Sequence, residues 1–427
     1  MKTRITLLIA LLLCTTTNLA MAEITSGEYT YTVLPDGTAE ITKYGIDEDW
    51  DIEAMIKGRP IERNVIDQLQ IPASLDGHPV SSIAAHAFYG IDDIIHVTVP
   101  EGVRSIGDGA FLECDDMVSI MLPNSLTNMG ANPFEGCYAL TSIEIDSDHP
   151  YLIMHDGVLF SKPDKRLICF PHSKQNIETI TDPNDMFYGG KCIDAEFDIP
   201  KGTEIIGDAA FAGCEGLWRI SISNTVSHIG SRAFSGCSLD EVVIHESVVS
   251  IGDLVFERNI GLEKASLPSS LITVGDNPFA ACEELKNIKV ASGNPELGIK
   301  DGVLFRKSDM RLISYPGAKE VKKYEIPSGV REVGAYAFSQ SAITEITIPD
   351  TVTKIGDCAI SDVYDLPKVV VPASVTEIGA DAFGRLLDWN DELVVETVKG
   401  SYAESYWQNY VSGHEDNYDD RDDYMID

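Results

Sequence analysis

The sequence contains nine histidines, and none of them has a spacing that catalysis or metal binding requires. Neither the His-Glu-x-x-His motif of zinc proteases nor the Gly-x-Ser-x-Gly turn of serine hydrolases is present. Asp182 with Asp185, and the acidic run from Asp419 to Asp423, could bind calcium weakly, but they lack the loop spacing of a dedicated site. We therefore expect no catalytic residue, no metal site and no cofactor. The histidines are His78, His86, His96, His149, His155, His172, His228, His245 and His414.

The nine cysteines raise the question of a disulfide framework. Five of them recur at one position of a short repeat. A residue that recurs at one register is a packing residue, and unpaired cysteine is among the most buried residue types. We therefore predict that these five are reduced and buried, and bridging of some cysteines stays the alternative. The five are Cys114, Cys137, Cys214, Cys237 and Cys282.

The charge balance limits the classes of partner. The chain of 427 residues carries 68 acidic and 32 basic side chains, which gives a formal net charge of −36. This charge repels nucleic acid and anionic membrane surfaces at long range, so we expect neither as a partner. It keeps the protein soluble, and it also favours cations or a basic partner. The hydrophobic fraction of 44% provides enough apolar residues for a core.

A short motif recurs along most of the chain. Each copy combines a hydrophobic-Pro pair, a hydrophobic-Gly pair and usually an Ala-Phe pair, as in Val99-Pro100, Ile106-Gly107 and Ala110-Phe111. Successive prolines are 22 or 23 residues apart. A unit of this length cannot bury its own apolar face, so neighbouring units must stack and share one core. These steps run from Pro100 to Pro123, from Pro327 to Pro349 and from Pro349 to Pro372.

Each repeat predicts the same local structure. Leu140, Ile143 and Ile145 place apolar side chains on one face of a short strand. Proline then ends the strand because it cannot donate to a ladder. The Ile-Gly pair predicts a tight turn in which glycine adopts backbone angles that other residues avoid. The Ala-Phe pair follows on a short helical or irregular return, so we predict a strand-rich α/β solenoid that coils in the right-handed sense.

The motif resembles the BspA-like class of leucine-rich repeats, which bacterial surface proteins contain. The hydrophobic-Pro, Ile-Gly, Ala-Phe and Cys positions carry the resemblance over roughly residues 70–400. No fixed Asn ends each strand, which departs from the commonest leucine-rich consensus. The resemblance implies a leucine-rich-repeat horseshoe with N- and C-terminal caps, and a role as an adhesin or interaction module.

A second, longer periodicity lies inside the solenoid. Asn132-Pro133-Phe134 recurs as Asn277-Pro278-Phe279, and the segment 156–160 recurs at 301–305. Every matched pair is 145 residues apart. A block of several repeats has therefore been duplicated as a whole.

Each copy of the block contains an inserted β-hairpin, at about 147–198 and 292–325. In the second copy Val303–Phe305 and Arg311–Tyr315 are the two predicted strands, and we expect the insert to protrude as a flap or to widen the solenoid. The first copy carries 18 extra residues within Asn176–Phe197. An exposed loop is the simplest interpretation of them, and a recognition loop is the alternative.

The N-terminus follows the pattern of an export signal, with a basic start, a short apolar run and the small-x-small sequence Ala20-Met21-Ala22. The run is too short to span a membrane. We therefore expect an exported protein that is secreted or held at the cell surface, with a periplasmic location as a further option and no membrane insertion. The predicted organisation is a signal peptide at 1–22, an N-terminal β cap at 23–64, the repeat solenoid at 65–400, a C-terminal cap at 401–412 and an acidic, disordered tail at 413–427.

The outward residues of the repeat strands form the candidate binding face. They lie between the apolar positions and vary from unit to unit. Few of them are aromatic, so an extracellular protein is the favoured partner and a glycan the second candidate. The candidate residues are His96, Thr98, Met121, Ser142, Glu144, Arg219, Ser221, Glu241, Val243, Lys264, Ser266, Asn287, Lys289, Glu345, Thr347 and Lys368.

Three functions therefore remain open at the level of sequence. The first is an exported, adhesin-like protein that binds a protein of a host or neighbouring cell and catalyses no reaction. The second is a structural envelope or spacer protein without a specific ligand. The third is an enzyme whose site lies in the insertion at 176–197. The sequence does not indicate an oligomeric state.

Overall fold

The computed structural model describes residues 22–45, 65–171, 176–178, 191–193, 195–384 and 394–415. These residues form a strand-rich solenoid of about twelve turns with almost no helix. The predicted signal peptide lies outside the described residues except for Ala22, as do Asp182, Asp185 and the acidic residues 416–427.

Each repeat contributes one long strand, and the long strands of neighbouring repeats pair in parallel. Equivalent residues face one another, so that Val97 pairs with Ile120 and Ile120 with Ile143. These apolar residues are buried, as the period-two pattern predicts. The long strands are β4 (Ile66–Gln70), β7 (Ile94–Thr98), β9 (Ser119–Met121), β11 (Ser142–Glu144), β17 (Ala195–Asp198), β19 (Leu217–Ser221), β21 (Glu241–Val243), β23 (Lys264–Leu267), β25 (Asn287–Val290), β29 (Lys323–Glu325), β31 (Glu345–Thr347), β33 (Lys368–Val371) and β35 (Val394–Thr397).

Two-residue strands form a second parallel column. Each of them ends at the hydrophobic residue of a hydrophobic-Gly pair, where a turn was predicted. Each of these strands has two residues, and its apolar residue faces the core. The short strands are β8 (Ser105–Ile106), β10 (Asn128–Met129), β18 (Ile205–Ile206), β20 (His228–Ile229), β22 (Ser250–Ile251), β24 (Thr273–Val274), β30 (Glu332–Val333), β32 (Lys354–Ile355) and β34 (Glu377–Ile378).

The predicted reason for the glycine after each short strand was wrong. None of the glycines in this position has a positive φ. A Cβ on Gly130 would instead lie 2.1 Å from the Asp108 carboxylate and 2.5 Å from the Asp108 backbone nitrogen. Glycine is required because the backbones of successive repeats approach too closely for any side chain. The Asp108 carboxylate uses the same space to accept a hydrogen bond from the Ala131 N–H, at 2.8 Å.

The return segment that contains the Ala-Phe pair is irregular rather than helical. Its turns are closed by bonds such as Cys114 N–H to Phe111 C=O, and Phe111 N–H donates to the Pro133 carbonyl of the next repeat, at 2.8 Å. The residue before the Ala-Phe pair adopts a left-handed backbone in most repeats, with φ of 57° at His86 and 56° at Tyr336. The left-handed conformation turns the chain back toward the long strand.

The Phe side chains of the return segments stack through the core. Ring centroids are 4.8 Å apart between Phe88 and Phe111 and 5.0 Å apart between Phe211 and Phe234. The recurring cysteines lie beside this stack. The Cys137 thiol, for example, donates to the Phe111 carbonyl oxygen at 2.9 Å. The prediction for the five recurring cysteines is confirmed, because all five are outside disulfides and buried.

Antiparallel strands precede the first repeat. β1 (Ile24–Ser26), β2 (Tyr29–Val33) and β3 (Ala39–Tyr44) form a meander, and β3 pairs in parallel with β6 (His78–Ile83). The two-residue strand β5 (Ser74–Leu75) pairs with β6. This arrangement covers the first edge of the short-strand column.

At the other end, helix α1 (Tyr402–Glu415) packs on the last repeat. The Trp407 ring lies 6.0 Å from the Phe383 ring, edge to face. The acidic tail was predicted to begin at residue 413, but the helix extends to Glu415. The tail prediction was therefore wrong for the first three of these residues.

The two inserts are three-stranded meanders rather than protruding flaps. In the first, Val158 and Phe160 pack into the core on the C-terminal side, whereas Leu159 packs into the core on the N-terminal side. Both faces of the meander are thus buried, which contradicts the flap, whereas the alternative of a wider solenoid stays a prediction. The meanders are β12 (Leu152–His155), β13 (Val158–Ser161) and β14 (Arg166–Cys169), and β26 (Leu297–Lys300), β27 (Val303–Arg306) and β28 (Arg311–Ser314).

The 18-residue insertion of the first block contains secondary structure in its described part. β15 (Asn176–Glu178) and β16 (Lys191–Ile193) form an antiparallel pair, with Ile177 opposite Cys192. The default expectation of a plain loop therefore does not hold for these two segments.

Candidate functional site

The candidate binding residues lie on the long strands with their side chains directed away from the core. None of the sixteen is buried. Val243 is 62% exposed and Met121 is 48% exposed, so the surface includes exposed apolar side chains among the polar ones. Whether these residues bind a partner stays a prediction.

The structure divides this surface into four sheets. β7, β9 and β11 lie in the first sheet together with β4, and β19 pairs with β17 in the second. β21, β23 and β25 form the third sheet, and β29, β31, β33 and β35 form the fourth. The breaks after β11 and after β25 coincide with the meanders, because each meander enters the chain between two repeats.

Ion pairs join neighbouring strands on this surface. Arg219 Nη1 lies 3.2 Å from a Glu196 oxygen, and Lys323 Nζ lies 2.7 Å from Glu345. All four side chains are more than half exposed, so each pair contributes little stability. The pairs order long side chains and alternate charge along the strands. A third pair joins Lys368 to Glu396 at 2.6 Å.

The partner residues of these pairs were not among the sequence-predicted site. Glu196, Lys323 and Glu396 occupy the outward register of their strands, next to the predicted residues. The signal that could have found them is the same period-two pattern. It was obscured because Glu196 and Lys323 lie within the ranges assigned to the inserts and Glu396 follows the last recognisable repeat.

The remaining polar contacts of the surface include one between a histidine and a serine. His96 Nδ1 lies 2.8 Å from the Ser119 hydroxyl, and no acidic side chain orients this imidazole in the described structure. The described residues contain no group of three His, Cys, Asp or Glu side chains placed to hold a metal ion. Such a surface offers charges, hydroxyls and small apolar side chains to a ligand.

A separate concave surface lies on the return segments and was not predicted from the sequence. A cavity of about 400 Å³ opens between five of these segments and helix α1. Several lining residues have left-handed backbones, which direct their side chains outward; φ is 56° at Tyr336, 48° at Cys358 and 47° at Asp381. Glycine at the second left-handed position of other repeats, as at Gly213 and Gly236, was the sequence signal for this geometry.

Partial burial on the return segments shifts the pKa values of titratable side chains. Burial raises the pKa of Glu135, and the Arg232 guanidinium at 3.7 Å opposes the rise. Burial also raises the pKa of Tyr336, to which the neighbouring Cys358 thiol and Glu257 carboxylate contribute.

A smaller apolar recess of about 310 Å³ lies between the first meander and the turn at Pro200. Ile153 and Phe160 form part of its wall, and Lys162, Lys165 and Lys201 surround it. In the described part of the chain, no helix is both long and apolar enough to cross a membrane.

Comparisons with known proteins agree with the repeat geometry. A family profile described as BspA type leucine rich repeat region matches residues 81–182, 180–300 and 314–393, in six copies. No curated protein matches the chain in sequence.

Several solved structures are similar to the chain at low sequence identity. A leucine-rich repeat protein from Eubacterium ventriosum is 22% identical over 84% of this chain and 68% of its own, with a TM-score of 0.41. A leucine rich cell surface protein from Faecalibacterium prausnitzii is 21% identical over 90% and 97%, with a TM-score of 0.39. The pneumococcal vaccine antigen PcpA is 18% identical over 84% and 78%, with a TM-score of 0.35.

Proposed function

The chain belongs to the family of BspA-type leucine-rich-repeat proteins, and on that premise we propose that it is an exported protein that binds an extracellular protein partner through its long strands. The partner is a protein of a host or neighbouring cell, so the role is adhesin-like. Export is supported by the signal-peptide pattern of residues 1–22. A glycan is the second candidate ligand.

The observation that carries the proposal is the outward surface of the long strands. It repeats along the solenoid, its side chains differ from repeat to repeat, and ion pairs such as Arg219 with Glu196 hold some of them in place. Ordered, varied polar groups with scattered apolar residues such as Val243 suit the polar, solvent-accessible rim of a protein–protein interface. Pre-ordering also reduces the entropy that binding must overcome.

The test is a binding screen of the mature chain, residues 23–427, against extracellular proteins and glycans. We expect a saturable protein ligand whose affinity falls at least about tenfold when Glu144, Arg219 and Lys264 are changed together to alanine. A ligand that survives this change but is lost on deletion of residues 176–193, which leaves strand β17 in place, would place recognition on the insertion. No ligand at all for folded protein would contradict the proposal and favour a spacer role.

A further inference from the structure

The cavity between the return segments and helix α1 has the size of a small-ligand site. Its volume of about 400 Å³ falls within the range of roughly 300–1,000 Å³ that such sites occupy. The return segments that contain Glu257, Ala280, Ser339, Ser361 and Gly384 form its walls. These segments are hydrogen-bonded to one another through the backbone, so the cavity is built on a rigid framework.

A buried serine, whose hydroxyl forms no hydrogen bond with the described residues, lies in the wall of this cavity. Ser361 is 4% exposed, and its side chain lines the cavity. Its backbone N–H bonds to the Cys358 carbonyl oxygen, but no described residue hydrogen-bonds to its hydroxyl. Buried polar groups are normally paired, so this hydroxyl is available to a ligand.

The charge of the lining indicates the kind of ligand. Glu257, Asp362 and Asp381 contribute three carboxylates, and Arg258 is the one basic residue among the lining side chains. Glu257 accepts a hydrogen bond from the Ser235 hydroxyl at 3.0 Å, whereas the other two carboxylates accept none from the described residues. The excess of negative charge, within a chain of net charge −36, favours a cation.

Aromatic side chains complete the site. Tyr336 and Tyr410 both line the cavity. The Tyr410 ring is held in place by stacking on Trp407, with ring centroids 5.7 Å apart and planes inclined by 13°. An aromatic ring beside carboxylates is a suitable environment for an ammonium or guanidinium group.

We propose that this cavity binds a cationic group, an ammonium or guanidinium, through Asp362, Asp381 and the Ser361 hydroxyl. The group belongs either to a Lys or Arg side chain of a protein ligand or to a free amine. The site is separate from the long-strand surface, so either proposal can fail without the other.

The test is calorimetric titration of the full chain with three probes. These are an end-capped Gly-Arg-Gly peptide, putrescine as a free amine, and an end-capped Gly-citrulline-Gly peptide as the neutral match. We expect saturable binding of a cationic probe and none of the citrulline peptide. The cationic probe that binds more tightly identifies the source of the group. Saturation by neither cationic probe, or equal binding of the citrulline peptide, would overturn the proposal.

Matched variants locate the binding. Asp362→Asn with Asp381→Asn should lower the affinity for the cationic probe at least about tenfold, because charge-assisted hydrogen bonds are lost. Glu320→Gln with Asp350→Asn removes the same charge at exposed positions outside the cavity and should leave the affinity unchanged. Equal affinities in the two double variants would contradict the site. Ser361→Ala should weaken binding about threefold and provides the test if the cavity double variant does not fold.

Discussion

The side-chain amide of Asn277 donates to the carbonyl oxygen of Tyr336 at 2.7 Å, although 59 residues separate the two. The Asn277 Oδ1 atom accepts from the Phe279 N–H at 3.1 Å. In the first block Asn132 reaches the Ala209 carbonyl in the same way, at 2.8 Å. The asparagine thus links the repeats on the two sides of each meander. At these junctions Pro278 and its counterpart Pro133 replace the alanine of the Ala-Phe pair.

Replacing this asparagine should loosen the junction. Asn277→Ala removes both hydrogen bonds and leaves the Ser339 N–H, at 3.1 Å, as the remaining donor to the Tyr336 carbonyl oxygen, so we expect a loss of about 1–3 kcal/mol in the free energy of unfolding. Urea unfolding followed by circular dichroism measures this loss. Asn277→Asp keeps the acceptor for Phe279 but loses the donor, and it should also destabilise the fold. An unchanged urea midpoint for Asn277→Ala would show that the junction is held by other contacts.

The close approach of the short strands gives a second prediction. A Cβ on Gly230 would lie 2.2 Å from the Asp208 carboxylate and 2.5 Å from its backbone nitrogen, so Gly230→Ala should destabilise the protein by about 1–3 kcal/mol or more. Gly261 has no atom within 4 Å of the corresponding Cβ position and no positive φ, which makes Gly261→Ala the matched control. Its melting temperature should stay close to that of the unmodified chain. Equal effects of the two substitutions would contradict the steric explanation.

The thiols of the core should resist modification in the folded protein. Burial raises the pKa of Cys282 to about 12 and raises that of Cys237 as well, so neither forms a reactive thiolate near neutral pH. Cys358 is partly exposed. Labelling with iodoacetamide at pH 8, read by peptide mass spectrometry, should modify Cys358 before either core thiol. Comparable labelling of Cys282 in the folded chain would show that the stacked core opens locally.

An acidic cluster beside the long strands should make stability depend on pH. Burial and the carboxylates of Asp92, Glu113 and Asp116 raise the pKa of Asp115 to about 6. The native state therefore binds this proton more strongly than the unfolded chain does, so the stability contribution of Asp115 decreases as the pH rises from about 4 through 6. Asp115→Asn should raise the melting temperature at pH 8 and have little effect at pH 4. A stabilisation that is equal at both pH values would contradict this assignment.

Sequence periodicity predicted the solenoid, the inward residues and the buried cysteines because these features repeat with the motif. The contacts of Arg166 and Arg311, which are duplicated at a spacing of 145 residues, were not predictable in the same way. Arg166 donates to the Met129 carbonyl oxygen and Arg311 pairs with Asp276, so each joins a meander to the repeat that precedes it. Such bridges depend on contacts over 35 residues or more, which local patterning does not encode.

The candidate site was predictable only in part for the same reason. The outward register of the long strands follows from alternation, but two of the three breaks between the four sheets depend on how the meanders enter the core. The cavity on the return segments depends on left-handed backbones at residues such as Tyr336 and Cys358, which are not glycines. No residue type specifies that conformation there; the hydrogen bonds between neighbouring repeats impose it.

The most direct test of recognition by the long strands is a charge swap that keeps an ion pair and inverts its direction. Glu196→Arg with Arg219→Glu preserves the pair on the candidate surface, and Lys354→Glu with Glu377→Lys does the same on the short-strand column, where Lys354 lies 2.7 Å from Glu377. Affinity for the protein ligand is measured by surface plasmon resonance, with melting temperatures as the check on folding. We predict that the first swap weakens binding at least about tenfold and that the second has no effect. Unchanged affinity after the first swap, in protein of unchanged melting temperature, would contradict recognition by this surface.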